Sequence, residues 1–164
     1  MPTPKPDFLR ILKILAKHKV DFIVVGGVSA VLQGAPLATF DLDAVHARTP
    51  SNIAKLLKAL AELDAFFRGQ GSRRIKPDAS HLASAGHQLL ITRYGPLDLL
   101  GTIGKDRDYD HLVGHTIKLT VGRHTMVRAL RLETLIQTKR EVGRAKDKAV
   151  LNLLERTLRE KSRA

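Results

Sequence analysis

Residues 7–19 place Phe8, Ile11, Leu12, Ile14 and Leu15 at helical spacing, with Arg10, Lys13 and Lys17 on the opposite face, which predicts an amphipathic helix. Residues 20–25 form a β-branched and aromatic run that stops at Gly26-Gly27, the pattern of a buried strand ending in a turn. A short helix is expected over 28–33. Gly34 and Pro36 end it, because glycine accepts the left-handed conformation after a last turn and proline cannot continue one. Residues 38–47 set Asp41 and Asp43 among Phe40, Leu42 and Val45, and period-2 alternation puts both carboxylates on one strand face. Thr49-Pro50 then supplies an N-cap and a first-position proline, and Ile53, Leu56, Leu57, Leu60 and Leu63 line one side of a second long helix.

Beyond this helix the periodicity weakens. Residues 69–84, rich in Gly, Ser, Arg and Lys, read as a mobile basic loop or short strand. The apolar runs 88–92 and 97–100 flank Arg93-Tyr94-Gly95-Pro96 as a hairpin, whose second strand carries Asp98 between Leu97 and Leu99. One or two helical turns are expected over 108–113, and a further hairpin joins 117–121 to 125–128 across Gly122-Arg123. From Leu130 onward the pattern is helical: Leu132, Leu135 and Ile136 suit one helix, and Val150, Leu151, Leu154 and Leu158 suit another, with a break at Gly143. There is no internal repeat and no low-complexity segment.

Composition narrows the class. A chain of 164 residues, 43% hydrophobic and without cysteine, fits one domain over 1–164. We divide it into an α/β core over 1–128 and a helical segment over 129–164 packed on that core. The lack of cysteine removes a disulfide scaffold, a thiolate nucleophile and cysteine-ligated zinc, and it agrees with a cytoplasmic location. The longest nearly apolar run, 22–32, is interrupted by Gly26, Gly27 and Ser29 and falls short of the roughly 20 residues of a membrane helix, so no membrane partner is expected. Lys5, Asp7, Arg10 and Lys13 deny the first apolar stretch the centre of a secretory signal. The 28 Lys+Arg against 16 Asp+Glu leave a formal charge of +12, which attracts anions such as nucleotides or nucleic acid. The surplus is concentrated in residues 123–164, with 12 Lys+Arg against 5 Asp+Glu.

Against that basic background, three acids in apolar strands call for an explanation, because a buried carboxylate costs several kcal/mol unless paired or metal-bound. Asp41 and Asp43 at i and i+2 project together, and Asp98 from a neighbouring strand would complete a hard oxygen cage for one or two Mg²⁺ ions. Gly26 and Gly27 before a helix let phosphate oxygens approach backbone N–H groups. These are the parts that phosphoryl chemistry needs: charge neutralisation, an activated hydroxyl and a stabilised pyrophosphate leaving group. Other constellations carry less. Gly114 interrupts the pair His111 and His115, so zinc is not expected there. Gly101-Thr102-Ile103-Gly104-Lys105 lacks the first glycine and the Ser/Thr of a Walker loop. His46 and His87 are read as structural.

The order strand, Gly-Gly, helix, strand with Asp-x-Asp, later strand with one acid resembles the nucleotidyltransferase-fold superfamily (polymerase-beta-like). It is carried here by Gly26, Gly27, Asp41, Asp43 and Asp98. More narrowly, VDFIVVGGVSAVLQG, TFDLD and YGPLDLLG are similar to small bacterial proteins grouped with abortive-infection nucleotidyltransferase toxins, over residues 20–150. The resemblance implies an α+β fold, a mixed β-sheet flanked by helices with a C-terminal helical segment. It implies Asp41, Asp43 and Asp98 as catalytic and metal-binding residues. Gly26, Gly27, Ser29 and Thr39, with the C-terminal Lys139, Arg144, Lys146 and Asp147, would contact the nucleotide. Relatives often show Arg-x-Thr-x-Asp-x-Asp; Leu37 stands at the arginine's place, and Arg48, Arg73, Arg74 or a C-terminal cation are the candidates to substitute.

The expected activity is Mg²⁺-dependent transfer of an NMP from an NTP, ATP included, to a hydroxyl of RNA, tRNA or a protein, in a toxin–antitoxin setting with a cognate antitoxin as partner. A basic surface disfavours a cationic acceptor such as an aminoglycoside. The alternative is a catalytically degenerate module that binds RNA or a partner protein. With aromatics at 4% and no Trp, base-stacking platforms are scarce, so its binding to RNA would rest on phosphate attraction.

Overall fold

A computed structural model describes residues 5–143 and 147–163, Asp147 by its backbone alone. Its frame is a seven-stranded mixed sheet in the order β3-β4-β5-β2-β1-β7-β6. The strands are β1 (Phe22–Val25), β2 (Leu42–His46), β3 (Phe66–Phe67), β4 (His87–Thr92), β5 (Gly95–Leu100), β6 (Thr116–Val121) and β7 (Thr125–Leu130). β1 runs antiparallel to β2 and parallel to β7, and β2 runs parallel to β5. This is the α+β architecture, with a mixed sheet flanked by helices, that the sequence resemblance implies.

The helices follow from their apolar spacing and caps. In α1 (Phe8–Lys17) Ile11, Leu12, Ile14 and Leu15 are buried, and Asp7 accepts the Arg10 N–H at 3.1 Å as N-cap. In α3 (Pro50–Glu62) the Thr49 hydroxyl accepts the Asn52 N–H at 3.2 Å and Pro50 opens the first turn. Asn52 then ties this helix to the sheet, donating to the Asp21 and Ala47 carbonyls at 3.0 and 2.8 Å. One face of the sheet, with Val24, Leu42, Ala44, Leu90, Leu97 and Leu99, packs on α1, α3 and Leu82 of α4 (Ala79–Ala83). The other, with Ile23, Val25, Val45, Leu100 and Leu130, packs on α2 (Gly26–Leu32), α5 (Tyr109–Leu112), α6 (Leu132–Val142) and α7 (Asp147–Ser162). Gly143, in the left-handed region at φ 65°, caps α6, and Arg140 of α6 pairs with Glu155 of α7.

Two local expectations are corrected. Residues 69–84 are not all loop: Asp78 accepts the His81 N–H at 2.9 Å while His81 Nδ1 accepts the Asp78 N–H at 3.0 Å, and this capping box starts α4. A five-residue helix is too short for periodicity to reveal. Asp41 is not in the strand with Asp43. The β1–β2 ladder ends at the pair Val25–Asp43, because β1 turns into α2 at Gly26, so Asp41 lies in the bend before β2.

The two faces are unequally covered at the β3–β4 side. Along β4, Gln88, Leu90 and Thr92 are buried, while His87 and Leu89 on the α6 face are exposed. That face is thus open at His87 and Leu89, beside β5.

Candidate active site

The site is built where β1 ends. Gly26 adopts φ +64°, and a Cβ there would stand 2.4 Å from Asp43 Oδ2, so both conformation and space require glycine. A Cβ on Gly27 would stand 3.1 Å from the Thr39 side chain. The turn thus brings bare backbone against a carboxylate.

Asp43 of β2 and Asp98 of β5 are register partners in a parallel ladder, so the two carboxylates face each other on the α6 face of the sheet. Burial first, then the facing Asp98, then Asp41, push the Asp43 carboxyl up to about 7, with Lys139 pulling the other way. Asp98 is 9% exposed, and its Oδ1 is buried without a hydrogen bond. Arg68, just after β3, brings Nη1 to 2.8 Å from that oxygen, yet the same nitrogen donates to the Leu90 carbonyl at 2.8 Å. The contact at Asp98 is therefore a charge pair without hydrogen-bond alignment. Among the described residues no three His, Cys, Asp or Glu side chains converge as a ready metal set.

Two cavities meet at these groups, sharing Gly26, Asp43 and Lys139. One, of about 240 Å³, lies on the Gly27, Thr39 and Asp41 side and includes Phe40. The other, of about 220 Å³, is walled by Leu100, Ile103, Leu135 and Thr138. Two cavities of about 370 Å³ sit elsewhere, one around Asp21 and Arg128, the other around His46 and Asp108, away from the carboxylate pair. Chemistry rather than size identifies the site. Six large hydrophobics are exposed among the described residues. Phe40 and Val142 line the two cavities, and Leu89 lies opposite Asp98 on β4, which suits a ligand with apolar faces.

Of the residues singled out in the sequence, Gly26, Gly27, Thr39, Asp41, Asp43, Asp98 and Lys139 come together here. Ser29 does not. It is fully buried, and its Oγ donates to the Leu130 carbonyl at 2.9 Å, so it locks α2 to β7, and its nucleotide contact is withdrawn. Arg144 and Lys146, and the side chain of Asp147, lie outside the described residues. Arg48 stands 3.8 Å from Asp108 by the His46 cavity, and Arg74 pairs with Asp64 at 2.6 Å and covers the Phe66 ring. Among the described residues, the arginine set against Asp98 is Arg68, which no motif marks. His46 is buried, with Nε2 against the Leu82 carbonyl at 2.8 Å, and also borders the cavity around Asp108. His87 meets the Thr102 carbonyl at 3.0 Å and also lines the second cavity.

A further device escaped sequence reasoning. Residues 101–107 fold back through mutual hydrogen bonds of Ile103 and Arg107, and Arg107 grips Glu141 of α6 with two bonds of 2.9 and 2.6 Å. This strap fixes Ile103 and Gly104 against the helix that carries Thr138 and Lys139. Its partners are 34 residues apart, a pairing that only the fold makes.

No protein-family model matches the chain, and no curated protein matches it. Solved structures do. TM1012 of Thermotoga maritima, a protein whose nucleotidyltransferase activity is itself inferred, is 18% identical, with a TM-score of 0.59 over 88% of each chain. The lincosamide antibiotic adenylyltransferase LnuA, solved with lincomycin bound, is 14% identical, with a TM-score of 0.60 over 90% of this chain and 94% of its own. The antibiotic-resistance factor ANT(2'')-Ia is 13% identical, with a TM-score of 0.58 over 92% and 82%. Together with the seven-stranded mixed sheet and its helical layers, these likenesses show that the chain has the nucleotidyltransferase fold.

Proposed function

We propose that this protein transfers a nucleoside monophosphate from an NTP to an acceptor hydroxyl, releasing pyrophosphate. The observation that carries the reading is the in-register Asp43–Asp98 pair beside a turn whose glycine has no room for a Cβ. Two facing carboxylates, with Asp41 close enough to Asp43 to raise its pKa, are the donor chemistry that a hard divalent cation takes. Asp43 and Asp98, assisted by Asp41, would hold one or two Mg²⁺ ions, which supply neutralisation of the triphosphate when bound.

The chain's own groups do the rest. Backbone N–H groups after Gly26 receive phosphate oxygens. Lys139, at the junction of the two cavities, faces the charge that builds on the leaving pyrophosphate. The acceptor oxygen bonds to the α-phosphorus, the α–β phosphoanhydride bond breaks, and the acceptor proton passes to Asp98. Because LnuA is an adenylyltransferase, ATP is the first nucleotide to test. The +12 charge supports an anionic acceptor, an RNA or tRNA end, over a protein hydroxyl.

A second reading, a degenerate module binding RNA or a partner protein, is favoured by Leu37 in place of the usual arginine and by the lack of a ready three-ligand set among the described residues. Purified protein incubated with each labelled NTP, Mg²⁺ and total RNA, beside Asp41→Ala/Asp43→Ala, decides between them. Label transfer lost in the variant supports catalysis; no transfer to RNA or protein together with no NTP binding by calorimetry supports the module. For a cytoplasmic toxin–antitoxin role, induced expression should arrest growth, and the double variant should relieve the arrest.

A further inference from the structure

Arg68 has no role in the steps above, yet it is the cation set against Asp98. Its backbone continues β3: the Arg68 N–H donates to the Leu89 carbonyl at 3.0 Å, one step beyond the pair Phe67–Leu90. Leu89 is in turn the register partner of Asp98, and Asp98 of Asp43, which pairs with Val25. Arg68, Leu89, Asp98, Asp43 and Val25 therefore form one row across five strands on one face, with the Gly26 turn at its end. Adjacent strands lie about 4.8 Å apart, so Arg68 reaches back roughly 10 Å across β4 to place its guanidinium at Asp98.

The direction of the reaction gives this row a sense. With phosphates seated at Gly26 and Gly27, the nucleotide occupies the β1–β2 end. Attacking and leaving oxygens stand roughly in line on opposite sides of the phosphorus. The other end of the row, at β4, is open to an acceptor: Leu89 there is 45% exposed. Arg68 is 28% exposed at its side chain and sits on that approach. Its bond to Asp98 is poorly aligned, and its firm hydrogen bond runs to the Leu90 carbonyl, so the guanidinium keeps donors to spare.

We propose that Arg68 selects the acceptor: its guanidinium, held by Asp98 at rest, passes to a phosphate of the incoming acceptor, so that the enzyme takes phosphate-bearing hydroxyls and rejects polycations. This rests on the nucleotidyl-transfer reading and names the acceptor side of the same site.

The test is a binding cycle with a short fluorescent oligouridylate bearing a free 3′-hydroxyl, read beside NTP titration and thermal melting. Arg68→Gln should weaken the oligouridylate about tenfold and leave NTP affinity unchanged, as loss of one charge-assisted contact predicts. Arg68→Lys should recover part of the affinity. Asp98→Asn should tighten the probe by releasing the guanidinium, and this gain should vanish in Asp98→Asn/Arg68→Gln. Arg68→Glu should reverse the preference and bind a polycationic aminoglycoside more tightly than wild type.

Arg68→Gln within twofold of wild type, or an Asp98→Asn gain of equal size with and without Arg68, would overturn the proposal and leave Arg68 a structural counter-ion visible only in the melting temperature. Weakened probe binding in a protein that binds no NTP would sink the transfer reading and this role with it. Intact NTP binding and transfer without an Arg68 effect on the probe sinks only the role of Arg68.

Discussion

A carboxyl buried against another carboxyl needs compensation, and at Asp43 it comes from a proton, from Lys139 and, on our proposal, from a divalent cation. The folded-state value near 7 lies above the ordinary 3.8, so the native state holds this proton more tightly than the unfolded chain. Its stabilising contribution is complete below the unfolded value and is lost as pH rises through about 7. In EDTA, the denaturation midpoint of wild type relative to Asp43→Asn should therefore fall between about pH 5 and about pH 8. An unchanged difference would show that no proton is held there. Mg²⁺ should raise the wild-type melting temperature more at the higher pH, where no proton competes for the carboxylates. Asp43→Asn and Asp98→Asn should each slow transfer at least about a hundredfold in single-turnover assays.

At the scale of elements, the junction of β1 and α2 and the strap over α6 set the site's shape. Gly26→Ala faces a left-handed φ and a contact of 2.4 Å with Asp43. It should cost at least about 1–2 kcal/mol in chemical denaturation and abolish NTP binding. Gly114, with open space around it, is the control, and Gly114→Ala should be near neutral. At the strap, Glu141→Gln breaks a partly buried bidentate pair with Arg107. The expected loss is about 1–3 kcal/mol by urea denaturation, with a lower kcat from a displaced Lys139. A variant as stable and as fast as wild type would remove the strap from the site's support.

Over the whole molecule, the +12 charge governs encounter rather than chemistry. Retention of total RNA on immobilised protein should fall steeply between about 50 and about 300 mM NaCl, because phosphate contacts release counterions. Retention indifferent to salt would show that the basic surplus is not the contact. Arg68→Gln should lower transfer more than it lowers this bulk retention, since one guanidinium is a small part of the total charge.

Most elements were legible in the chain because their signals are local. Helical spacing marked α1, α3 and α6, and Thr49-Pro50 opened α3 at the expected place. The ordered acids Asp41, Asp43 and Asp98 pointed to the fold that the solved structures then showed. Burial depends on what an element packs against, and there the chain alone was silent. Ser29 has the chemistry of a phosphate ligand but faces β7, and Asp41 was set outside the strand by where β1 turns. Arg68 sits in an unpatterned stretch, and its meaning comes from a sheet order that returns β3 to within side-chain reach of β5. Sequence by itself determined the residue types, the local elements and the acids' order along the chain. Tertiary structure alone decided which charges meet, because pairing across strands joins residues whose separation along the chain carries no signal of their contact.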